Sequence, residues 1–272
     1  MKSTKNFVLV TGAYGGMGRA VTALLVKKGY FVLALDKRVG DAEEGVLPIE
    51  ADITTEEGVR LALQEVEKHT DQLFAILHFA GIYMLDSLVE IDAEAFRRIF
   101  DVNLYGAFLV NKAFFPFLAR DSRILITTSE LAPLDPLPFT GLYAVTKSAL
   151  DKYAYSLRME LQLQGIPVSV LRAGAVKTGM LGVSTDALDR FSENTSIYSC
   201  NAKRFRAIVN RVEARCVSPE KIARKTLKII QKCKPRFAYA VNRNPLLLLF
   251  NLLPKRLQLF AIRMVLKAKK EK

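Results

Sequence analysis

Cysteine and histidine are scarce in this chain. Its 272 residues include only 3 cysteines, Cys200, Cys216 and Cys233, odd in number and at no metal-ligand spacing. This argues against a disulfide framework and reads as packed or free thiols in a reducing compartment. The 2 histidines, His69 and His78, leave few candidates for Ser-His-Asp hydrolysis or a histidine-rich metal centre, and no metal is expected. The first apolar run ends at Thr11-Gly12, too early for a secretory signal with a small-residue cleavage site. The expected location is cytoplasmic. Internal repeats and low-complexity linkers are also missing. Apart from the last few residues, no window is poor in apolar side chains and rich in one charge, so long disorder is not expected.

Acidic residues are the minority charge: 27 Asp and Glu face 40 Lys and Arg, a net +13. Such a balance attracts anions, whether cofactor phosphates, acidic lipid head groups or nucleic acid. Basic residues interleaved with exposed aromatics are absent, as is any nucleic-acid reading motif, so no nucleic-acid partner is expected. Much of the excess lies late, in Lys255, Arg256, Arg263, Lys267, Lys269, Lys270 and Lys272.

Hydrophobic residues make up 50% of the chain, enough to bury one large core. Short apolar runs alternate with helix-length amphipathic segments. Strands are expected at 7–10, 31–35, 46–49, 74–77, 123–127, 167–171 and 237–241. Helices are expected at 19–28, from a Thr54 or Thr55 cap to 68, at 93–118 (as one or two), at 143–163, and from Pro219 behind a Ser218 cap. Strands apolar on both sides and separated by helices predict an α/β doubly wound parallel sheet, Rossmann-like, with ligands at the strands' carboxyl ends. One catalytic domain is expected over 1–242, followed by a hydrophobic and basic extension at 243–272.

Thr11-Gly12-Ala13-Tyr14-Gly15-Gly16-Met17-Gly18 falls between the first strand and first helix. Glycines there let a pyrophosphate approach amides at a helix N-terminus. The strand before, the helix after and Asp36 closing the second strand lift this above an ordinary turn. Asp36 can accept hydrogen bonds from both adenosine ribose hydroxyls and repels a 2′-phosphate. Lys37 and Arg38 pull towards NADP, but read more simply as a mixed-charge surface turn. NAD is the expected cofactor, with NADP as the alternative.

Tyr143 and Lys147 open a long helix four residues apart, on one face. A nearby ammonium stabilises phenolate and lowers a tyrosine from its usual pKa of roughly 10, as a general acid/base requires. Alone, such a pair reads as a solvated face. Ser129 stands just after the fifth strand, as a substrate contact or a strand-end turn. Asn103 interrupts an apolar helix, as part of a water relay to the lysine, a satisfied buried amide or a kink.

Together these residues resemble the short-chain dehydrogenase/reductase family over residues 5 to 241. The Thr-Gly-x-x-x-Gly-x-Gly loop is residues 11 to 18, and Tyr-x-x-x-Lys is 143 to 147. The resemblance implies that Tyr143 is the acid/base, Lys147 holds the nicotinamide ribose, Ser129 orients the substrate oxygen and Asn103 carries a proton relay. It implies cofactor contacts from Gly12, Tyr14, Gly16, Met17, Gly18 and Asp36. It also places Asp52 and Ile53 at the adenine, Ala80 and Gly81 beside the ribose, and Gly174, Val176 and Thr178 near the nicotinamide. The chain departs from the family in three places. His78-Phe79-Ala80-Gly81 replaces Asn-Asn-Ala-Gly, Ala173-Gly174 replaces Pro-Gly, and Ser129 is one residue further from the tyrosine than in many relatives. A serine hydrolase is disfavoured, because Ser129 lacks the flanking glycines of a nucleophile elbow.

From 180 to 217 the periodicity weakens, with Ser184, Thr185, Ser192, Asn194, Thr195 and Ser196 among scattered apolars. Position implies a lid, and Met180, Leu181, Leu188, Phe191 and Ile197 suggest a hydrophobic substrate or local packing. The tail's longest apolar run is far short of the ~20 residues that span a bilayer. Leu257, Phe260, Ala261, Met264 and Val265 lie near one face of a basic segment, suited to a membrane interface, a pocket cap or a partner subunit. The tail also resembles those of steroid- and retinol-active family members. The expected activity interconverts a hydrophobic secondary alcohol and its ketone, in a homodimer or homotetramer. The alternatives are an NADPH-dependent acyl-chain or acyl-glycerone reductase and a non-catalytic cofactor-binding scaffold at a membrane surface.

Overall fold

The computed structural model describes residues 6–213 and 215–267, leaving aside the side chains of 180–186 and 210–213. The strands are β1 (Phe7–Thr11), β2 (Phe31–Asp36), β3 (Val46–Glu50), β4 (Leu73–His78), β5 (Leu118–Ser129), β6 (Val168–Ala173) and β7 (Ala238–Val241). They form one sheet in the order β3-β2-β1-β4-β5-β6-β7, with every neighbouring pair parallel. The order reverses between β1 and β4, where a doubly wound sheet opens a crevice at its carboxyl edge. Register brings Thr11 opposite His78 and Ser129 opposite Ala173 at that edge.

Side chains alternate between the faces with the two-residue period of a strand. Leu9, Leu33, Ile76, Ile124 and Val170 enter one apolar layer. Val8, Val32, Ala75, Leu125 and Leu171 enter the other. The first layer is covered by α2 (Glu56–Glu67), α4 (Gly106–Phe114) and α5 (Gly141–Leu161) through Val59, Val66, Val110, Phe114, Leu150 and Ala154. The second is covered by α1 (Gly16–Lys27) and α8 (Pro219–Ile230) through Val21, Leu25, Ile222 and Ile229. Phe114 is fully buried; truncating a core phenylalanine to alanine costs about 3–5 kcal/mol.

Several boundaries depart from the sequence reading. Helix α1 starts at Gly16, so the glycine loop runs straight into it. The segment expected to be helical to 118 divides into α3 (Ala93–Phe100), a π-helical turn (Asp101–Tyr105) and α4, which ends at Phe114. Pro116 follows in a 3-10 turn, where its missing amide and ring oppose continuation. Strand β5 starts at Leu118, earlier than expected. The segment expected as a lid forms two helices, α6 (Gly179–Asn194) and α7 (Ser199–Glu213), and the tail two more, α9 (Pro245–Asn251) and α10 (Lys255–Leu266).

His78 does not reach across the sheet. Its Nε2 pairs with Asn111 Oδ1 of α4 at 2.9 Å, and Asn111 Nδ2 donates to the Tyr153 hydroxyl of α5 at 3.1 Å. Burial pushes the imidazole down to about 4, so it is neutral at physiological pH. Nearer the site, Arg172 of β6 donates twice to Asp151 of α5, at 3.0 and 2.7 Å, and Thr128 of β5 adds a bond of 3.1 Å. The paired fork fixes α5 against the strand ends it overlies.

Candidate active site

The cofactor end is shaped by backbone. Gly12 has φ +66°, and a Cβ there would lie 2.5 Å from the Ala80 amide nitrogen. A Cβ on Gly18 would lie 2.0 Å from the Gly12 carbonyl oxygen, and one on Gly16 2.6 Å from the Thr178 side chain. No larger residue fits these positions without moving the loop. The turn therefore lies close under β4, and the α1 amides face an open cavity.

That cavity measures about 800 Å³ and is lined by Gly12, Tyr14, Gly16, Met17, Gly18, Asp36, Asp52, Ile53, Ala80, Gly81 and Thr178. A hollow of about 700 Å³ at the opposite strand ends, near Phe7, His69 and Arg123, involves none of these residues. Asp36 Oδ2 accepts the Tyr14 amide at 2.9 Å and Oδ1 accepts the Lys37 amide at 2.8 Å. Lys37 Nζ reaches Asp52 Oδ2 at 2.6 Å, and Thr54 donates to Asp52 Oδ1 from both its amide and its hydroxyl. These donors hold the Asp52 carboxyl down at about 2, the Lys37 bond contributing most. Volume, glycine cradle and ribose acceptor fit a dinucleotide. Arg19, Arg38 and Arg98 line the same cavity; Arg19 and Arg98 had carried no motif.

Side chains build the other end. In the first two turns of α5, Lys147 Nζ lies 5.8 Å from the centre of the Tyr143 ring. Lys147 Nζ donates to the Thr127 carbonyl at 3.4 Å. A Cβ on Gly81 would lie 3.2 Å from both Lys147 Nζ and Asn103 Oδ1, so Gly81 leaves the space between them open. The Ser129 hydroxyl is placed to favour the Tyr143 phenolate, and its Oγ accepts the Leu131 amide at 3.2 Å. It is thus both a strand-end turn and a member of the site.

Asn103 lies in the π-helical turn. Its Oδ1 accepts the Ile82 amide at 2.8 Å, while Nδ2 donates to the Ile82 carbonyl at 3.0 Å and the Thr146 hydroxyl at 3.1 Å. Protein groups satisfy this amide, and the widened turn is where a helix commonly carries a functional residue.

Burial pushes the Tyr143 phenol up to about 12, with the Ser129 bond acting the other way. It pushes the Lys147 ammonium down to about 8. Desolvation penalises both charges, so burial works against the lowering that the neighbouring ammonium predicts from the sequence.

Gly174 and Val176 lie outside the cavity lining. A Cβ on Gly174 would lie 2.0 Å from the Asn242 carbonyl oxygen and 2.9 Å from Glu130 Oε1. Val176 is buried in the second apolar layer. Three neighbours escaped the motif reading: Thr146, Glu130 and Tyr83, whose ring lies 4.8 Å from that of Tyr143. The spacing of Tyr83 just past Ala80-Gly81 was the one available signal.

Above Tyr83 a third apolar cluster joins Leu85, Leu188, Phe191, Phe205 and Leu266, with Phe139 and Ile262 packed against it. Phe139 has φ +64°, and its ring meets Phe191, Tyr198 and Phe205 at 4.6, 5.2 and 5.4 Å. A left-handed bulky residue costs on the order of 1–3 kcal/mol, offset here by the aromatic contacts it anchors. Ile197, expected among the lid's apolar lining, is instead exposed. The side chains of Met180, Leu181, Ser184 and Thr185 lie outside the described residues, as do Lys269, Lys270 and Lys272.

A family model described as short chain dehydrogenase matches residues 6–189. The chain is a short-chain dehydrogenase. It is 32% identical over 204 residues to an NADPH-dependent 1-acyldihydroxyacetone phosphate reductase of Schizosaccharomyces pombe, covering 71% of this chain and 68% of that one. It is 33% identical over 206 residues to estradiol 17-beta-dehydrogenase 2 of Mus musculus, covering 69% of this dehydrogenase but only 54% of the relative. A crystal structure of a short chain dehydrogenase family protein from Francisella tularensis superposes with a TM-score of 0.74 at 21% identity, covering 88% and 97% of the two chains. This dehydrogenase is an NAD(P)-dependent oxidoreductase acting on CH–OH groups.

Proposed function

We propose that this dehydrogenase interconverts a hydrophobic secondary alcohol, steroid-, retinoid- or lipid-like, and its ketone, with NAD as the preferred cofactor. The observation that carries the substrate class is the aromatic and aliphatic cluster that packs on Tyr83, whose ring lies against that of Tyr143. Preference for NAD is supported by Asp36, held by two backbone amides at the end of β2, and by Lys37 being engaged with Asp52.

When bound, the nicotinamide accepts or supplies the hydride. The glycine loop and the α1 amides would hold the pyrophosphate, Asp36 would accept from the adenosine ribose, Asp52 and Ile53 would line the adenine pocket, and Thr178 would be available to the carboxamide. Lys147 would hold the second ribose. Ser129 donates to the substrate oxygen and orients it towards Tyr143. In reduction the phenol gives its proton to that oxygen; oxidation is the reverse and needs the phenolate, which burial disfavours and the Ser129 hydroxyl favours. Asn103 positions the chain at Ile82 and, through Thr146, the first turn of α5 that carries the tyrosine and lysine. Lid contacts exclude water, which strengthens each of these interactions.

A second reading, reduction of an acyl-glycerone ketone with NADPH, is favoured by similarity to the fission-yeast reductase and by Arg38 in the cavity wall. A panel of steroids, retinoids, fatty carbonyls and acyl-glycerones, run with both cofactors, separates the two. Turnover confined to acyl-glycerones with NADPH would replace the first reading by the second. We also assign exposed Tyr105, Phe108, Val145 and Tyr155 of the α4–α5 region to a second copy of the chain. Sedimentation velocity should show a dimer or tetramer, and a monomer at high concentration would remove that part.

A further inference from the structure

Helix α10 is polar or tightly packed on its inner side and apolar on its outer side. Gln258 and Leu266 are buried, and Ile262 between them is half-buried. The inner side is held by a polar clamp. Asp135 pairs with Lys255 and accepts bonds from Asn251 Nδ2 at 2.9 Å and Gln258 Nε2 at 3.2 Å, while its own amide donates to Asn251 Oδ1. At the far end Asn201 donates to the Leu266 carbonyl at 2.6 Å, and Arg204 bonds the Lys267 carbonyl.

This docking fixes which side faces out. Leu257, Phe260 and Met264 recur at three- and four-residue intervals and share a face, and all three are exposed. On α9 and the turn after it, Leu246, Leu249, Leu252 and Leu253 are exposed as well, Leu252 by 80%. An apolar set of this size on the outside, with the polar groups used inward, marks an interaction surface.

Charge selects its occupant. Arg256, Arg263 and Lys267 recur at seven and four residues, alongside the apolar strip, and all are exposed. No aspartate or glutamate stands between Glu220 and Glu271. An apolar strip beside a purely cationic one complements an anionic lipid surface, with hydrocarbon below and phosphate above. Among the described residues no helix is long and apolar enough to cross a membrane, which is consistent with a segment lying in the interface plane.

We propose that α9 and α10 form an in-plane anchor that seats Leu246, Leu249, Leu252, Leu257, Phe260 and Met264 in an anionic membrane interface. Ile262 and Leu266, on the reverse of α10, belong to the lid cluster. Lipid and catalytic lid are thus separated by one helix, about 10 Å thick.

The test exploits a chain without tryptophan. In full-length Phe260→Trp, vesicles of phosphatidylcholine with phosphatidylserine should shift the indole emission to shorter wavelength, and brominated acyl chains should quench it. No shift and no quenching would overturn the proposal. The triple variant Leu257→Ser, Phe260→Ser, Met264→Ser should lose about ten-fold or more in vesicle partitioning at unchanged Tm; unchanged partitioning would overturn it. Arg256→Gln with Arg263→Gln should weaken binding to anionic vesicles and leave pure phosphatidylcholine unaffected. A blue shift that needs only high protein concentration, and that tracks self-association, would assign the face to a second copy instead. None of these readouts uses substrate or cofactor, so they stand or fall apart from the proposed function.

Discussion

The two ends of the active site are made differently. At the cofactor end the β1–α1 turn works through backbone shape, with Gly12, Gly16 and Gly18 each in a place where a Cβ would meet another atom within 2.6 Å. At the substrate end Tyr143, Lys147, Ser129 and Asn103 work through side chains gathered from three separate stretches of sequence. A backbone-built site is intolerant of added atoms. A side-chain-built site is intolerant of removed ones.

That contrast can be tested by damaging one end and assaying both. Removing the phenol oxygen with Tyr143→Phe should lower kcat by roughly 10²–10⁴-fold, the range for a lost general acid/base. Cofactor affinity measured by titration should stay within about two-fold. If both fall together, the ends are not separable. Gly18→Ala is the reciprocal change. It should weaken cofactor binding and cost about 1–3 kcal/mol in chemical denaturation, as overpacking does. Native-like cofactor affinity in that variant would show that the loop yields.

His78 lies beneath the junction of the two ends and supplies a pH test. Its folded value of about 4 is below the unfolded 6.5, so the unfolded chain binds more protons between those values. Stability should be intact above pH 6.5 and fall as pH drops towards 4, by on the order of 3 kcal/mol in total. His78→Asn, which does not titrate, should flatten the slope in urea melts from pH 7 to pH 4.5. An unchanged slope would place the acid sensitivity elsewhere. The smallest effect is expected at Gly179, where an added Cβ meets nothing within 4 Å. Gly179→Ala should change stability by less than about 0.5 kcal/mol. A large loss there would contradict the open space that surrounds Gly179.

The same division explains what could be read from sequence. The parallel sheet, the glycine loop, Asp36 and the Tyr143–Lys147 pair are local patterns, legible within a few residues of each other. Thr146 and Glu130 acquire their roles from partners distant in sequence, so no spacing announces them, and Tyr83 is signalled only by its place just past Ala80-Gly81. The lid looked irregular because Thr195 and Ser196 interrupt its periodicity. In the fold these residues join two helices and are held by Glu90, whose carboxylate accepts the Thr195 hydroxyl at 2.7 Å and the Ser196 amide at 2.9 Å. Spacing reports a neighbouring charge and not the solvent it displaces, so the burial that pushes the Tyr143 phenol up is not legible in it. The tail's amphipathicity is visible in the sequence, but which side faces out follows from the contacts of Asp135, Asn201 and Arg204.

Glu130 follows Ser129 directly, and its Oε2 accepts the Asn244 amide at 2.6 Å. Asn244 in turn caps α9, its Oδ1 taking the Leu246 amide at 3.0 Å. Burial already pushes the Glu130 carboxyl up, and the Asn244 amide is the donor that offsets this. A chain cut before Asn244 would therefore take that donor from a buried acid directly beside Ser129. Truncation of the extension, by protease or by design, is for this reason an edit to the catalytic strand, and the natural end of the enzyme's active site lies beyond its last strand.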